Sequence, residues 1–149
     1  MGEVLIEGVE FTKLSRIEVP GGDVLHAMKS TDHGFSGFGE AYFSIILAGL
    51  IKGWKRHRNM TLNLVVPQGR VRFVFYDDRL GSASNGVFHE VVVSPENYLR
   101  ITIAPMLWVA FQGVDDESLI LNIADLCHDP VEVERRDLSD IAYEWDSYL

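Results

Sequence analysis

The chain has 149 residues and a formal net charge of -9, and 47% of its residues are hydrophobic. This size and composition predict one soluble globular domain spanning residues 1–149. The acidity argues against general binding to nucleic acid or to an anionic membrane, because both require a basic surface. The single cysteine, Cys127, excludes an intrachain disulfide.

Neither a leader nor a membrane span is expected. The start "MGEVLIEGVEF" lacks a basic segment followed by a long apolar one, and the longest apolar run, "YFSIILAGLI", is too short to cross a bilayer. We therefore predict a cytoplasmic protein with no membrane partner.

The first half of the chain reads as strands and turns. "VLIEGVEFTKLSRIEV" alternates unevenly and ends at the turn "PGGD". "DVLHAMKSTD" is either a strand or a short helix, and "HGFSGFGE" is a glycine-rich connection. "AYFSIILAGLIKGWKRHR" then predicts one or two buried strands with a break at the glycine.

The second half repeats this pattern. "TLNLVVPQG" and "RVRFVFYDD" predict a hairpin, because Val71, Phe73 and Phe75 alternate with polar residues at period two. Further strands follow in "VFHEVVVS", "YLRITIAPMLWVAFQG" and "LILNIADL", separated by turns. The acidic tail is predicted to carry one helix or to be irregular, and to cover an end or an edge. The fold class is therefore all-β, an antiparallel barrel or jelly roll.

A basic motif, "KGWKRHR", stands before the central strands, and a "DDR" turn follows them. These pieces resemble the cupin-type barrel of the dTDP-4-dehydrorhamnose 3,5-epimerases and the related dTDP-sugar 3,4-ketoisomerases. Lys52 to Lys55 match the R-G-x-H segment of the epimerases, and Gly53 to Arg58 match the G-W-H-x-H motif of the ketoisomerases. "VSPENYLRITIAPMLWVAF" is similar to their L-S-x-E-N segment. "FGEAYFS" is similar to their early strand, which reaches the neighbouring subunit.

The resemblance implies a cupin-type jelly roll and an isomerase that removes a proton next to the ketone of a dTDP-4-keto-6-deoxy sugar. It also implies that no cofactor is needed and that the protein is a homodimer, with "AYFSIILAGL" at the interface. Three functions remain open: a 3,5-epimerase, a 3,4-ketoisomerase, or a cupin that binds a nucleotide diphosphate-sugar without turnover.

The candidate catalytic residues depart from the family pattern. Lys55 stands where the family has its first histidine, and His57 keeps the second. Residues two apart in a strand share a face, so we expect His57 to act as base with Lys55 stabilising the enolate. "ADLCHDP" lacks the family's tyrosine, and His128 is the candidate second proton donor.

Further residues are candidates for substrate binding. Arg56 and Arg58 suit a diphosphate, although such a cluster could equally be a solvated face paired with Asp and Glu. The other candidates are polar or aromatic residues of predicted strands: Glu40, Tyr42, Asn63, Trp108 and Asn122. An outer-face position remains open for Asn63, and a core position for Trp108. No metal site is expected, because Lys55 interrupts H-x-H and the remaining histidines lack ligand spacing.

Overall fold

The protein is represented by a computed structural model that describes residues 5–145. Nearly all of its regular structure is strand, with two short 3-10 turns at Pro130–Glu132 and Leu138–Asp140. The strands are β1 (Val9–Lys13), β2 (Arg16–Ile17), β3 (Val24–Leu25), β4 (Glu40–Leu47), β5 (Ile51–His57), β6 (Leu62–Gln68), β7 (Val71–Tyr76), β8 (Phe88–Val93), β9 (Leu99–Ile103), β10 (Trp108–Gly113), β11 (Glu117–Ala124) and β12 (Val133–Arg135).

Two five-stranded sheets pack face to face. Sheet I has the order β1-β9-β6-β11-β4, and sheet II has the order β12-β5-β10-β7-β8. Every strand pair in both sheets is antiparallel. This architecture confirms the predicted all-β, cupin-type jelly roll. The segment between Ser15 and His26 forms a separate small hairpin of β2 and β3.

The predicted hairpin of β6 and β7 is wrong. The two strands are consecutive in the chain, but β6 pairs with β9 and β11 in sheet I, whereas β7 pairs with β8 and β10 in sheet II. The chain crosses between the sheets at Gly69, where φ is +87° and an added Cβ would lie 2.1 Å from the Ser118 hydroxyl. The backbone of this tight turn accommodates only glycine. The turn carries the chain from one sheet to the other and does not join two paired strands.

The core lies between the sheets and follows the predicted alternation of β7. Val71, Phe73 and Phe75 are fully buried among the inward-facing residues of both sheets. Burial of such side chains is the main stabilising contribution in a domain of this size. The inner face of β7 therefore anchors sheet II over sheet I.

The C-terminal segment, residues 136–145, is irregular and covers the outer face of sheet II. Ile141 packs there against Trp54 and Trp108. Arg72 is buried beneath the segment and donates hydrogen bonds to the carbonyls of Glu144 and Trp145 and to the carboxylate of Glu90. These contacts hold the segment against the outer face of sheet II. No helix among residues 5–145 has the length and hydropathy needed to cross a membrane.

Candidate active site

A cavity of about 540 Å³ lies between the two sheets. One wall comes from sheet I, the opposite wall from β5 and β10 of sheet II, and the rim from β12 and the turn that follows it. The lining residues are Tyr42, Ser44, Lys52, Gly53, Trp54, Lys55, His57, Met60, Leu62, Leu64, Ile103, Ala104, Leu107, Val109, Phe111, Asn122, Arg135, Arg136, Asp137 and Asp140. Apolar walls with a few converging polar groups are typical of a small-molecule site.

A buried histidine and a buried carboxylate form the centre of this site. His57 lies at the end of β5, and its Nδ1 is 2.7 Å from Oε1 of Glu132. The other oxygen of Glu132 accepts hydrogen bonds from the backbone amides of Asn59 and Met60. The Glu132 contact orients the ring, and Nε2 of His57 is buried without a hydrogen-bond partner among the described residues. His57 thus presents one free ring nitrogen in the cavity.

The environment leaves this pair as a neutral imidazole and a carboxylate. Burial lowers the pKa of His57 below its ordinary value, and the hydrogen bond that His57 donates to the Glu132 carboxylate only partly offsets that effect. Burial alone would raise the pKa of Glu132, but the hydrogen bonds from Asn59, His57 and Met60 outweigh it and lower that pKa. A neutral imidazole backed by an ionised carboxylate is suited to accept a proton.

Lys55 lies on the same face of β5 as His57, as period two predicts, and both side chains line the cavity. Burial lowers the pKa of Lys55, and the nearby Arg135 guanidinium lowers it further. In the register of the antiparallel β5–β12 ladder, Arg135 stands directly opposite Lys55. The wall beside His57 is therefore cationic.

Tyr42 faces the cavity from β4, in the opposite sheet. Its pKa is raised by burial and by Glu40, while the nearby Arg135 acts in the opposite direction. Within residues 5–145 the Tyr42 hydroxyl has no hydrogen-bond partner. Asn122 lies beside it on β11, and its amide donates to the Tyr42 carbonyl and to the Ser44 hydroxyl. Tyr42 and Asn122 were both predicted as binding residues, and both line the cavity.

The glycine of the basic motif allows two strands to approach closely. At Gly53 φ is +144°, and an added Cβ would lie 2.5 Å from the Cβ of Ala110 on β10. The β5–β10 register shifts beside this point. Trp54 packs its ring into the cluster beneath the C-terminal segment, while Lys55 and His57 line the cavity.

Three residues predicted to bind substrate, Arg56, Arg58 and Trp108, do not line the cavity in the structure. Arg56 bonds the carboxylates of Asp78 and Glu134 on the outer face. Its guanidinium also stacks over Trp108, 4.6 Å from the ring centroid, and the Trp108 indole donates to Asp78. Arg58 is exposed and pairs with Glu134 at 3.4 Å. These side chains therefore form ion pairs, hydrogen bonds and a cation–π contact on the outer face of sheet II.

Three further candidates also lie outside the cavity. Asn63 is on the outer face of sheet I, where it donates to the Gly34 carbonyl and its own carbonyl accepts a hydrogen bond from Thr102. This is the outer-face alternative that the sequence left open, since β6 is a separate strand that begins after a turn. Glu40 accepts a hydrogen bond from the backbone amide of His128, and the His128 side chain is exposed and does not line the cavity.

Sequence reasoning missed Glu132 and Arg135. Glu132 is 75 residues from His57 in the chain and lies in a 3-10 turn, so no periodicity connects the two. The only available signal was a carboxylate soon after "HDP". Among residues 5–145 no group of three or more His, Cys, Asp or Glu side chains is arranged to hold a metal ion.

The fold is similar to that of solved structures. The chain is similar to a dTDP sugar isomerase from Desulfovibrio desulfuricans G20, with 36% identity and a TM-score of 0.91, over 97% of this chain and 96% of that chain. A 3'-monoepimerase from Streptomyces bikiniensis, solved in complex with dTDP-quinovose, has a TM-score of 0.84 over 99% of this chain and 79% of that one. Its 17% identity shows a shared fold alone.

A third similarity comes from a curated protein. A "probable low-salt glycan biosynthesis epimerase" of Haloferax volcanii is 32% identical over 84 residues, which cover 55% of this chain and about half, 54%, of that protein. No family model matches the sequence. Because the Desulfovibrio relative exceeds 30% identity over nearly the whole of both chains, this chain belongs to the family of dTDP sugar isomerases.

Proposed function

We propose that the protein is a sugar-nucleotide isomerase that acts on a dTDP-linked 4-keto-6-deoxy sugar, with a 3,5-epimerase-like reaction. The observation that carries this proposal is the free, buried Nε2 of His57, whose ring is held by Glu132 in the cavity between the sheets. The names of the relatives agree with it, since one is a dTDP sugar isomerase and another is a 3'-monoepimerase with bound dTDP-quinovose.

The first step is removal of a proton from the carbon beside the 4-keto group. His57 accepts this proton on Nε2, and the electron pair of the C–H bond moves into the carbonyl to give an enolate. The Glu132 carboxylate stabilises the imidazolium that forms, and the Lys55 ammonium stabilises the developing oxyanion. The ketone itself acidifies the carbon, so the proposed chemistry needs no organic cofactor.

The second step returns a proton to the same carbon from the other ring face. Tyr42 is suited to donate it, because it lines the opposite wall and its raised pKa keeps the phenol protonated. The tyrosinate then regains a proton from solvent, and His57 releases its own proton to solvent. Tyr42 replaces His128 as our proposed second proton donor, since the His128 side chain does not line the cavity.

A 3,4-ketoisomerase is the second candidate. It can operate with one base, and His57 with Lys55 on a single wall would serve it. The absence of a tyrosine in "ADLCHDP" also favours this alternative.

Product analysis separates the candidates. We would incubate the protein with dTDP-4-keto-6-deoxyglucose and follow the sugar ring by NMR. Inverted configuration at carbon 3 or carbon 5 is the expected result, and a ketone moved to carbon 3 would indicate the ketoisomerase. Tight binding without any product would identify a non-catalytic nucleotide-sugar-binding cupin and contradict the proposal.

The proposed enzyme is a homodimer that forms through β4. This strand ends the order of sheet I, so one of its edges is open. Its outer face exposes Phe43, Ile45 and Leu47, contrary to the expected burial of this segment, and Phe38 beside it is 65% exposed. A contiguous apolar face on an edge strand is suited to a second copy of the same surface.

Substitution on this face tests the dimer. Ile45→Asp is expected to convert a dimer into a monomer in sedimentation velocity experiments. The matched control is Leu80→Asp, which places the same charge at a more exposed leucine in the loop between β7 and β8. A wild-type protein that sediments as a monomer would contradict the dimer proposal.

A cytoplasmic location is also part of the proposal, since the exposed free thiol of Cys127 fits a reducing compartment.

A further inference from the structure

An amide side chain lies on the largely apolar inner face of sheet I. Asn122 is on the cavity side of β11, between the buried core residues Ile120 and Ala124, and only 8% of it is exposed. In the two neighbouring ladders it stands opposite Tyr42 of β4 and Leu64 of β6. A polar group in such a place costs free energy unless each of its hydrogen-bonding atoms has a partner.

The nitrogen of this amide is fully engaged. Nδ2 of Asn122 donates to the carbonyl of Ile120 at 3.2 Å, and to the carbonyl of Tyr42 at 3.3 Å. It also donates to the hydroxyl of Ser44 at 3.1 Å. Because backbone carbonyls only accept hydrogen bonds, the reversed amide would place Oδ1 against two other acceptors. The hydrogen-bond network therefore fixes the orientation of the amide, with Oδ1 turned away from these partners.

The oxygen of the amide has no such partner. Within residues 5–145, Oδ1 of Asn122 accepts no hydrogen bond. An amide oxygen can accept two hydrogen bonds, and an unsatisfied one beside apolar side chains costs free energy in the empty protein. A hydroxyl group of a bound molecule would remove this cost by donating to Oδ1.

We infer that Oδ1 of Asn122 accepts a hydrogen bond from the hydroxyl on carbon 3 of the bound sugar, and that it thereby selects sugars that carry this hydroxyl. The inference rests on the proposed function for the identity of the ligand. His57 and Asn122 both line the cavity, His57 from β5 of sheet II and Asn122 from β11 of sheet I. When carbon 3 presents its C–H bond to His57, its tetrahedral geometry directs the hydroxyl away from His57 and toward the opposite wall.

The two carbons beside the ketone differ in what they offer to this wall. Carbon 3 carries a hydroxyl, which can donate to an amide oxygen. Carbon 5 of a 6-deoxy sugar carries a methyl group, which cannot. The 3-hydroxyl is therefore the substituent next to the ketone that Asn122 can recognise.

The test compares two nucleotide sugars that have no ketone and cannot react, dTDP-6-deoxyglucose and its 3-deoxy analogue, in isothermal titration calorimetry. The wild type should bind the compound with the 3-hydroxyl about tenfold more tightly, because the analogue leaves Oδ1 unsatisfied. Asn122→Leu has a side chain of similar size without the amide, and it should bind both compounds equally. If this variant does not fold, Asn122→Val supplies the same comparison with a residue that favours strands.

Two controls show whether the effect is local. Asn63→Leu removes another buried amide of sheet I, on the outer face, and should keep the wild-type preference for the 3-hydroxyl. Free dTDP lacks the sugar, so its affinity should be the same for the wild type and for Asn122→Leu. The inference is overturned if Asn122→Leu keeps the tenfold preference, or if it loses affinity for dTDP as much as for the nucleotide sugar.

The proposed function is judged separately, by turnover of dTDP-4-keto-6-deoxyglucose by the wild-type protein. A preference for the 3-hydroxyl that depends on Asn122, without any turnover, supports the hydroxyl contact and contradicts the isomerase. Turnover by a wild-type protein that shows no such preference supports the isomerase and contradicts the hydroxyl contact.

Discussion

The two faces of the β5–β12 ladder carry the same kinds of side chain in opposite circumstances. On the outer face, Arg56 is bonded to two carboxylates and stacked on an indole. On the inner face, Lys55 and Arg135 stand opposite each other with no carboxylate partner among the described residues. The Nε2 atom of His57 is buried there and has no hydrogen-bond partner among those residues.

The difference identifies which part of "KGWKRHR" belongs to the site. Paired charges on the outer face satisfy one another and need no ligand. Unpaired polar groups inside a cavity cost free energy unless a ligand or water contacts them. Residues that pair on the outer face therefore alternate, in the motif, with residues that line the cavity.

The largest effect is expected at the inner face, from His57→Ala. Loss of the general base should lower kcat about 10²- to 10⁴-fold, because proton transfer by a positioned side chain contributes that much. The rate is measured by NMR of the sugar product. Arg58→Gln, on the outer face of the adjacent turn, should keep the wild-type rate, and equal losses in both variants would contradict the comparison.

Tyr42→Phe should separate proton removal from proton return. His57 can still remove a proton and return a deuteron to the same ring face, so exchange in heavy water should persist. Formation of the inverted product should fall about 10²-fold or more, because the donor on the other face is gone. His128→Ala should behave as the wild type, and the reverse pattern would restore His128 as the second donor.

Glu132→Gln should have a smaller effect on rate and a distinct effect on pH dependence. Weakening one charged hydrogen bond should lower kcat/KM about 10- to 100-fold. The wild-type rate should fall only as pH drops through the lowered pKa of His57. The Glu132 carboxylate raises that pKa, so its removal should move the acid limb of the kcat/KM profile to lower pH. An acid limb that stays at the wild-type position would show that Glu132 does not act on His57.

The smallest effect is expected for Arg58→Gln in denaturant unfolding. The Arg58 side chain is 56% exposed, and its ion pair with Glu134 is 3.4 Å long. Exposed pairs of this kind contribute about 0–1 kcal/mol, so the free energy of unfolding should change by no more than that. A larger loss would show that the outer face of the ladder is more than a solvated surface.

The sequence predicted the features that depend on local periodicity. The alternation in β7 placed Phe73 in the core, and the two-residue spacing placed Lys55 and His57 on one face. Which face of β5 lies inward followed from the resemblance to the family, since spacing alone leaves both faces possible.

The features that depend on long-range pairing were not predictable. The turn at Gly69 gave no sign that β7 would join the other sheet, so a hairpin was expected. Glu132 reaches His57 only because the irregular segment that carries it folds back onto the end of β5. Arg135 acquires its position only when β12 pairs with β5. The sequence left both faces of the sheet open for Asn63 for the same reason, because the alternation of side chains can restart in a new strand after a turn.

The most direct test of the central claim is deuterium incorporation from heavy water into dTDP-4-keto-6-deoxyglucose, followed by NMR. If His57 Nε2 removes a proton beside the ketone, deuterium should enter at carbon 3 or carbon 5 with wild-type protein, faster than without it. The exchange should disappear in His57→Ala. Exchange that continues unchanged in His57→Ala, or no exchange in wild-type protein that binds dTDP tightly, would contradict the account.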